Sequence, residues 1–246
     1  MNVLNYPTYY TITNAFSSSS GNMSALAIGL SSMQTTCADT TLLGSFMENQ
    51  DNPRFPSITS DLSRAANAIT FTMLNDGVPI IWQGQEAHLN GGSTPNQREA
   101  IWLTNYNTSA PLYNLIKQVN QFRNQVISQN NTFVTNNIQP IYWDQKTLVT
   151  RKGPASFPVV GVYTNVGQSG AAYNVSLLNN MTMFNKNEQV VDVLSCQLFT
   201  TDNSGGMTVM MGNGGMPRVL WPYTGIAGTQ ICASECSGKL FCHRMC

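Results

Sequence analysis

Residues 46–55 read FMENQDNPRF, and within this segment an apolar run gives way abruptly to polar side chains. The run that leads into it, residues 41–47, is short enough to be a buried strand. The dipeptide Asn52-Pro53 then stops regular structure. A buried parallel strand that ends in polar groups delivers them to the carboxyl edge of its sheet, where α/β barrels keep their chemistry. A capped turn at the end of a strand accounts for the local pattern equally well.

The first 130 residues predict strands that alternate with helices. Short apolar runs indicate strands over residues 2–7, 41–47 and 78–82. Helical spacing is found in a segment that starts near Tyr9, over residues 23–33, from a Ser60 cap to Met73, and over residues 110–127. The loop at residues 84–97 is rich in Gly, Asn and Thr, and its length suggests a function because structureless loops this long are uncommon.

After residue 130 the pattern changes to short β-rich runs separated by glycine-rich turns. This pattern predicts an antiparallel β-domain. We therefore expect three regions, namely residues 1–130, residues 131–234 and a cysteine-rich tail at 235–246. The predicted strands lie at residues 138–143, 147–151, 159–164, 173–177, 189–194, 207–211 and 218–221.

Composition excludes several classes of function. The chain has 12 basic and 12 acidic residues and a formal net charge of zero, without a basic patch, so nucleic acid is not an expected partner. No apolar run reaches the roughly 18 residues needed to span a membrane. Six cysteines fit an oxidising compartment, whereas residues 1–7 lack the features of a signal peptide. Sequons for N-glycosylation start at Asn22, Asn107, Asn130, Asn174 and Asn180. In an Asn-rich chain, chance alone would supply several of them.

The segment FMENQDNPRF resembles the motif on the seventh barrel strand of α-amylases, which has His where this chain has Gln50. Residues 3–7 resemble the sixth strand of secreted fungal α-amylases, and residues 78–86 resemble the eighth. Residues 216–220 resemble the end of their C-terminal β-domain. The resemblance implies the last three βα units of a (β/α)8 TIM barrel, followed by an antiparallel β-sandwich domain. It also implies that strands one to five of the barrel lie outside this chain.

The resemblance implies a site built on Asp51, the carboxylate that stabilises the transition state. Arg98 matches an arginine that contacts sugar in an outer subsite, and Thr94 stands where the family has an accompanying Asp. Gln50 can still hydrogen-bond a sugar hydroxyl but carries no charge. Retaining glycosidases need a nucleophile and an acid/base, and the resemblance places both on strands absent from this chain. We therefore expect an α-amylase-like hydrolase of α-1,4-glucan in a truncated, inactive form, or alternatively a non-catalytic carbohydrate-binding or interaction protein.

Other polar side chains have competing interpretations. Glu48 lies three residues before Asp51, so we expect it to face differently. A pairing of Asp51 with Glu86 is geometrically conceivable, but a loop carboxylate satisfied by backbone amides explains Glu86 more simply. Arg98 is equally well explained by a salt bridge or helix-end contact with Glu99. Core or loop positions are expected for Trp82, Tyr142 and His88.

The cysteines and the metal sites are interpreted through the same resemblance. It pairs Cys196 with Cys232 and leaves Cys37 without a partner. The family's main calcium site depends on an insertion after the third strand, so no cofactor or metal is expected here. The end of the chain has a spacing similar to that of a zinc site at Cys232, Cys236, Cys242, His243 and Cys246, but it matches no well-defined zinc site. An altered reading frame or exon end is the favoured explanation.

The resemblance also bears on partners and localisation. It implies an extracellular protein with starch or another α-glucan as its ligand. Met1 falls inside the longer family sequence, so we expect a truncated gene product or gene model. A partial barrel leaves the inner face of its sheet uncovered, which predicts self-association through that face. The β-domain is expected to fold alone, and residues 1–127 to need a partner copy or remain loose.

Overall fold

The computed structural model describes residues 3–233. Its N-terminal part places three strand positions side by side in parallel, with Leu4 bridging Gly44 and with β1 (Gly44–Phe46) pairing with β2 (Val78–Ile80). This is the arrangement expected for three consecutive βα units. The helices of this part are α1 (Tyr6–Phe16), α2 (Met23–Thr36), α3 (Phe55–Ile58), α4 (Leu62–Leu74), α5 (Pro111–Gln129) and α6 (Thr132–Thr135).

The expected strand at residues 2–7 is wrong apart from the single bridge at Leu4, because α1 already begins at Tyr6. The side-chain oxygen of Asn5 accepts a hydrogen bond from the backbone N–H of Thr8 at 3.2 Å. Pro7 occupies the first turn, where its missing N–H costs nothing. An N-cap followed by a proline therefore overrides the strand pattern.

Other boundaries also differ from the expectation. A 3₁₀ turn at Thr40–Leu42 precedes β1, so the strand is shorter than residues 41–47, and β2 ends before residue 82. Asp61, rather than Ser60, caps α4 by accepting the backbone N–H of Arg64. The loop expected at residues 84–97 is partly regular and continues into a further turn. The 3₁₀ turns of this region are Gln85–Ala87, Asn96–Arg98 and Ile101–Thr104.

The second part of the chain is an antiparallel β-sandwich. One sheet has six strands in the order β3-β4-β5-β10-β7-β8, and the other is the pair β6-β9. Valine-rich faces of the two sheets pack against each other, which buries the core expected for a sandwich. The strands are β3 (Gln139–Trp143), β4 (Thr147–Lys152), β5 (Val159–Thr164), β6 (Tyr173–Leu177), β7 (Gln189–Asp192), β8 (Gln197–Thr200), β9 (Met207–Met211) and β10 (Arg218–Pro222), with a short helix α7 (Asn179–Thr182) between β6 and β7.

The other face of the six-stranded sheet packs on the helices of the N-terminal part. The Trp221 ring lies between Phe122 of α5 and Phe157, with ring centroids 5.2 and 4.8 Å away. Phe71 of α4 meets Tyr163 of β5 edge-on at 5.4 Å. Helices and sheet thus share one continuous hydrophobic cluster.

A buried ion pair joins the N-terminal part of the chain to the β-sandwich. The carboxylate of Asp76, which follows α4, forms a salt bridge with Lys152 of β4, and both side chains are at most 4% exposed. Asp76 also accepts the backbone N–H of Ile138 and the hydroxyl of Thr40, each at 2.8 Å. Burial lowers the pKa of Lys152, and the neighbouring Asp76 carboxylate opposes that shift. Every oxygen of Asp76 therefore has a partner, and the partners come from both parts.

Cys196 and Cys232, the pair named from the resemblance, are joined in a disulfide with Cα atoms 5.5 Å apart. Cys37 is free and half-buried within residues 3–233. The tail cysteines and His243 lie outside the described residues, as does the zinc-like pattern they form. Trp82 and Tyr142 are half-buried rather than core residues.

The described residues contain neither a membrane-spanning helix nor a metal-binding cluster. Among residues 3–233, no helix is both long and apolar enough to cross a membrane. The same residues contain no cluster of three or more His, Cys, Asp or Glu side chains that could hold a metal ion.

Candidate active site

The turn that follows β1 is organised by Asn49, which the sequence analysis did not single out. Its side-chain oxygen accepts the backbone N–H groups of Asp51 and Asn52, both at 3.0 Å, and the side-chain amide of Asn52 at 2.9 Å. Its own amide donates to the hydroxyl of Tyr6 on α1 at 3.0 Å. Asn side chains favour such turns because they imitate a backbone acceptor. Asn49 therefore fixes the backbone that presents Asp51.

The three site residues expected from the resemblance lie together at this turn. Arg98 Nη2 is 3.4 Å from Asp51 Oδ1, and Gln50 Nε2 donates to Asp51 Oδ2 at 2.9 Å. Arg98 Nε donates to the backbone carbonyl of Gln50 at 3.0 Å. The Asp51 and Arg98 side chains are each 53% exposed, so an ion pair of this kind contributes only about 0–1 kcal/mol to stability. Both side chains remain free to contact a ligand from solvent.

The alternative pairing of Arg98 with Glu99 is wrong, because Glu99 is bound to a different arginine. Arg54 is fully buried, and its Nε lies 2.9 Å from both the Gln97 carbonyl and the Glu99 carboxylate. Its Nη1 lies 3.3 Å from Glu48 on the other side. The backbone N–H of Arg54 donates to the Gly91 carbonyl at 3.0 Å. Arg54 thus fastens the 91–99 loop, and with it Arg98, to the end of β1.

Glu48 faces away from Asp51, as its position three residues earlier on the chain suggested. Its carboxyl group is buried and accepts the backbone N–H of Phe55 at 3.1 Å. Burial raises the pKa of Glu48 to about 7, although the Arg54 guanidinium acts in the opposite direction. One guanidinium faces two carboxyl groups here, and Glu99 is the more exposed of the two, at 22% against 1%. Glu48 therefore holds its proton up to about pH 7.

Thr94 and Gln97 complete the loop that carries Arg98. Gln97 Nε2 donates to the Gln50 carbonyl at 3.1 Å and to the Thr94 hydroxyl at 2.7 Å. Thr94 therefore holds the loop together instead of offering a carboxylate beside Arg98. An open depression of about 550 Å³ borders the outer side of Arg98 and Glu99.

The remaining candidates lie elsewhere. Glu86 lines a separate cavity, and within residues 3–233 its carboxylate has no hydrogen bond, so the expected capture by backbone amides is wrong. His88 lies in the loop, as expected, with a left-handed φ of 58°. Its Nε2 is buried without a partner among the described residues, and burial lowers its pKa. No contact within the described residues joins Asp51 to a second carboxylate.

The sequence matches two family models. Residues 2–175 match the model for the alpha amylase catalytic domain, and residues 140–239 match the model for alpha-amylase domain C. The chain is 39% identical over 230 residues to Alpha-amylase 1 of Schwanniomyces occidentalis, covering 94% of this chain and 44% of the relative. It is 45% identical over 231 residues to Alpha-amylase 1 of Lipomyces kononenkoae, covering 94% of this chain and 36% of the relative.

The structure agrees with the sequence comparison. It superposes on an alpha-amylase from Malbranchea cinnamomea with a TM-score of 0.88 and 40% identity, covering 94% of this chain and 48% of that one. The chain thus spans less than half the length of the relatives it matches. It belongs to the α-amylase family of glycoside hydrolases and comprises the last three βα units of the barrel with the antiparallel C-terminal domain.

Proposed function

We propose that this chain supplies the transition-state-stabilising part of an α-1,4-glucan hydrolase site. The observation that carries the proposal is the exposed cluster of Asp51, Gln50 and Arg98 at the carboxyl end of β1. Asp51 would accept hydrogen bonds from hydroxyls of the sugar ring as positive charge develops on it. Arg98 and Gln50 would donate to neighbouring sugar oxygens. The membership of the family and the identity to fungal α-amylases support this assignment.

We propose further that this chain does not hydrolyse starch unaided. Cleavage with retention needs one carboxylate to attack the anomeric carbon and another carboxyl group to protonate the departing oxygen. Within residues 3–233, the carboxyl groups of Glu48 and Glu99 are already committed, since Glu48 is buried against Arg54 and Glu99 is paired with it. Asp51 alone can stabilise charge but cannot perform both transfers.

Replacing Asp51 with asparagine tests the binding part of this proposal. We expect maltotriose affinity to fall about tenfold, since a hydrogen bond to a charged acceptor contributes ~1.5–3 kcal/mol and about 1.4 kcal/mol is a factor of ten. Isothermal titration calorimetry measures the change. Asp202→Asn is the control, because Asp202 is exposed and its carboxylate bonds only within its own turn. Equal affinities of the Asp51 and Asp202 variants would contradict the assignment.

Starch assays separate the proposals for activity. We expect the purified chain to release no reducing sugar from soluble starch. If sugar is released, and the Asp51→Asn substitution abolishes that release, the chain is a complete catalyst. The alternative function is a non-catalytic carbohydrate-binding protein. It predicts retention on a starch column, elution by maltose, and no dependence on Asp51.

We propose an extracellular location, supported by the similarity to fungal α-amylases and by the Cys196–Cys232 disulfide, since disulfides persist in oxidising compartments. No cofactor is assigned to the proposed role, because hydrogen bonding by Asp51 and Arg98 requires none.

The uncovered strands of the N-terminal sheet support a proposal of self-association. Val3, Leu4 and Val78 are 54%, 48% and 59% exposed, although parallel sheets are normally covered on both faces and unpaired edges attract further strands. We expect Val78→Lys to shift the chain from dimer to monomer in light scattering. Ile28→Lys is the matched control, since Ile28 on α2 is 60% exposed. A monomeric parent chain, or equal behaviour of both variants, would rule out this surface.

A further inference from the structure

A second cavity lies away from Asp51, between the 3₁₀ turns that follow β2 and the start of α5. Its volume is about 200 Å³, and Glu86, Ile101, Tyr106, Asn107 and Tyr113 are among the residues that line it. Pockets for drug-sized ligands measure roughly 300–1,000 Å³. The cavity is therefore suited to a single small ring. None of its lining residues belongs to the Asp51 cluster.

Several polar groups of this cavity have no partner within residues 3–233. The half-buried carboxylate of Glu86 forms neither a hydrogen bond nor an ion pair, and the hydroxyls of Tyr106 and Tyr113 form no hydrogen bond. Asn107 uses its side-chain oxygen to accept the backbone N–H of Ser109 at 2.9 Å, which leaves its amide free to donate. Glu86 and Tyr113 are half-buried whereas Tyr106 and Asn107 are exposed, and polar groups withdrawn from water are normally hydrogen-bonded. This set therefore offers two acceptor oxygens, two hydroxyls and an amide to a ligand.

The backbone that presents these groups is strained. Asn105 and Tyr106 both have a φ of 50°, in the left-handed region that non-glycine residues seldom adopt. Local strain of this kind clusters at functional sites. The preceding 3₁₀ turn leaves Trp102 66% exposed, and Tyr106 is 65% exposed. Two large aromatic side chains are thus displayed to solvent on one short segment, next to the cavity.

We propose that this cavity binds one glucose ring of an α-glucan, at a site separate from the Asp51 cluster. Glu86 accepts hydrogen bonds from sugar hydroxyls, Tyr106 lies against the ring, and Asn107 donates to a sugar oxygen. The proposal rests on the glucan specificity proposed above. Among residues 3–233, no basic side chain lines the cavity to neutralise Glu86, and a sugar is a neutral ligand rich in hydroxyl donors. A cationic amine is the competing ligand for an unpaired carboxylate.

The test isolates the second site by working in the Asp51→Asn background. The chain is produced in bacteria, so that the sequon at Asn107 carries no glycan. Maltose is titrated while the amide signals of residues 101–113 are followed by NMR. We expect Glu86→Gln and Tyr106→Ala each to weaken maltose binding by about fivefold or more, because they remove a charged acceptor and a stacking surface.

Glu188→Gln is the control, since Glu188 is a half-buried carboxylate that bonds only to nearby residues. Thermal unfolding followed by circular dichroism identifies variants that fail to fold, and the Glu86→Gln result decides the matter if Tyr106→Ala does not fold. Unchanged maltose affinity of Glu86→Gln would overturn the proposal, as would displacement of maltose by methylammonium. If Asp51→Asn does not affect maltotriose binding, only the proposed function is contradicted. The NMR chemical-shift changes of residues 101–113 report binding in this cavity independently.

Discussion

Replacing Asp76 with alanine is expected to lower the free energy of unfolding by about 3–5 kcal/mol, the cost of leaving one member of a buried ion pair without its partner. Lys152 would stay 3% exposed with no counter-charge. The backbone N–H of Ile138 and the hydroxyl of Thr40 would lose their acceptor at the same time. Urea denaturation, monitored by tryptophan fluorescence, measures the change.

A double-variant cycle provides the control for this expectation. Removing both charges, in Asp76→Ala with Lys152→Met, should cost less than Asp76→Ala alone, because no buried charge is left unpaired. Asp39→Ala is the exposed comparison, since the Asp39 carboxylate bonds only to Thr41, two residues further on. If Asp76→Ala lowers the free energy of unfolding by less than about 1 kcal/mol, the ion pair contributes no more than an exposed one. That result would contradict the stabilising role assigned to Asp76.

The second large effect is expected for Arg54→Met, with a loss of about 3–5 kcal/mol in the free energy of unfolding. The substitution leaves Glu48 and Glu99 without their cation and removes the bond to the Gln97 carbonyl. Because the 91–99 loop carries Arg98, we also expect maltotriose affinity to fall. Chemical denaturation and calorimetric titration measure the two losses separately.

Glu48→Gln distinguishes the charge of this cluster from its shape. Since the pKa of Glu48 is raised to about 7 in the folded chain, the folded state keeps a proton that the unfolded state has already released. The stability of the parent chain should therefore fall as the pH rises from about 4.5 to about 7. The glutamine variant should lack that fall. A parallel decline in both proteins would show that Glu48 is ionised throughout.

Local patterns predicted the strands and helices that depend on near neighbours in sequence. The clearest cases are α5, with its amphipathic spacing, and the antiparallel strands that begin at residue 139, which are separated by turn residues. The strand predicted at residues 2–7 is wrong because Asn5 and Pro7 favour the start of a helix more strongly than the apolar run favours a strand.

The site was predicted only in part, and the distance along the chain explains why. Asp51, Gln50 and Arg98 came from the resemblance to a family, since nothing in the sequence brings Arg98 to Asp51, 47 residues away. Arg54 was missed because its carbonyl acceptor lies 43 residues further along the chain. Asp76 was missed for the same reason, since its buried lysine partner lies 76 residues away. Asn49 was the detectable omission, because an Asn just after a strand is a common organiser of turns.

The contact of Trp221 with α5 restricts how this family can be recombined. In a chimera that joins the helices of one relative to the β-sandwich of another, the aromatic residues that meet at Trp221, Phe122 and Phe157 come from different parents. Overpacking or a void at such a contact destabilises a core even when every residue there stays apolar. Crossover points that keep residues 111–226 from a single parent preserve this contact, whereas a crossover near residue 130 divides it.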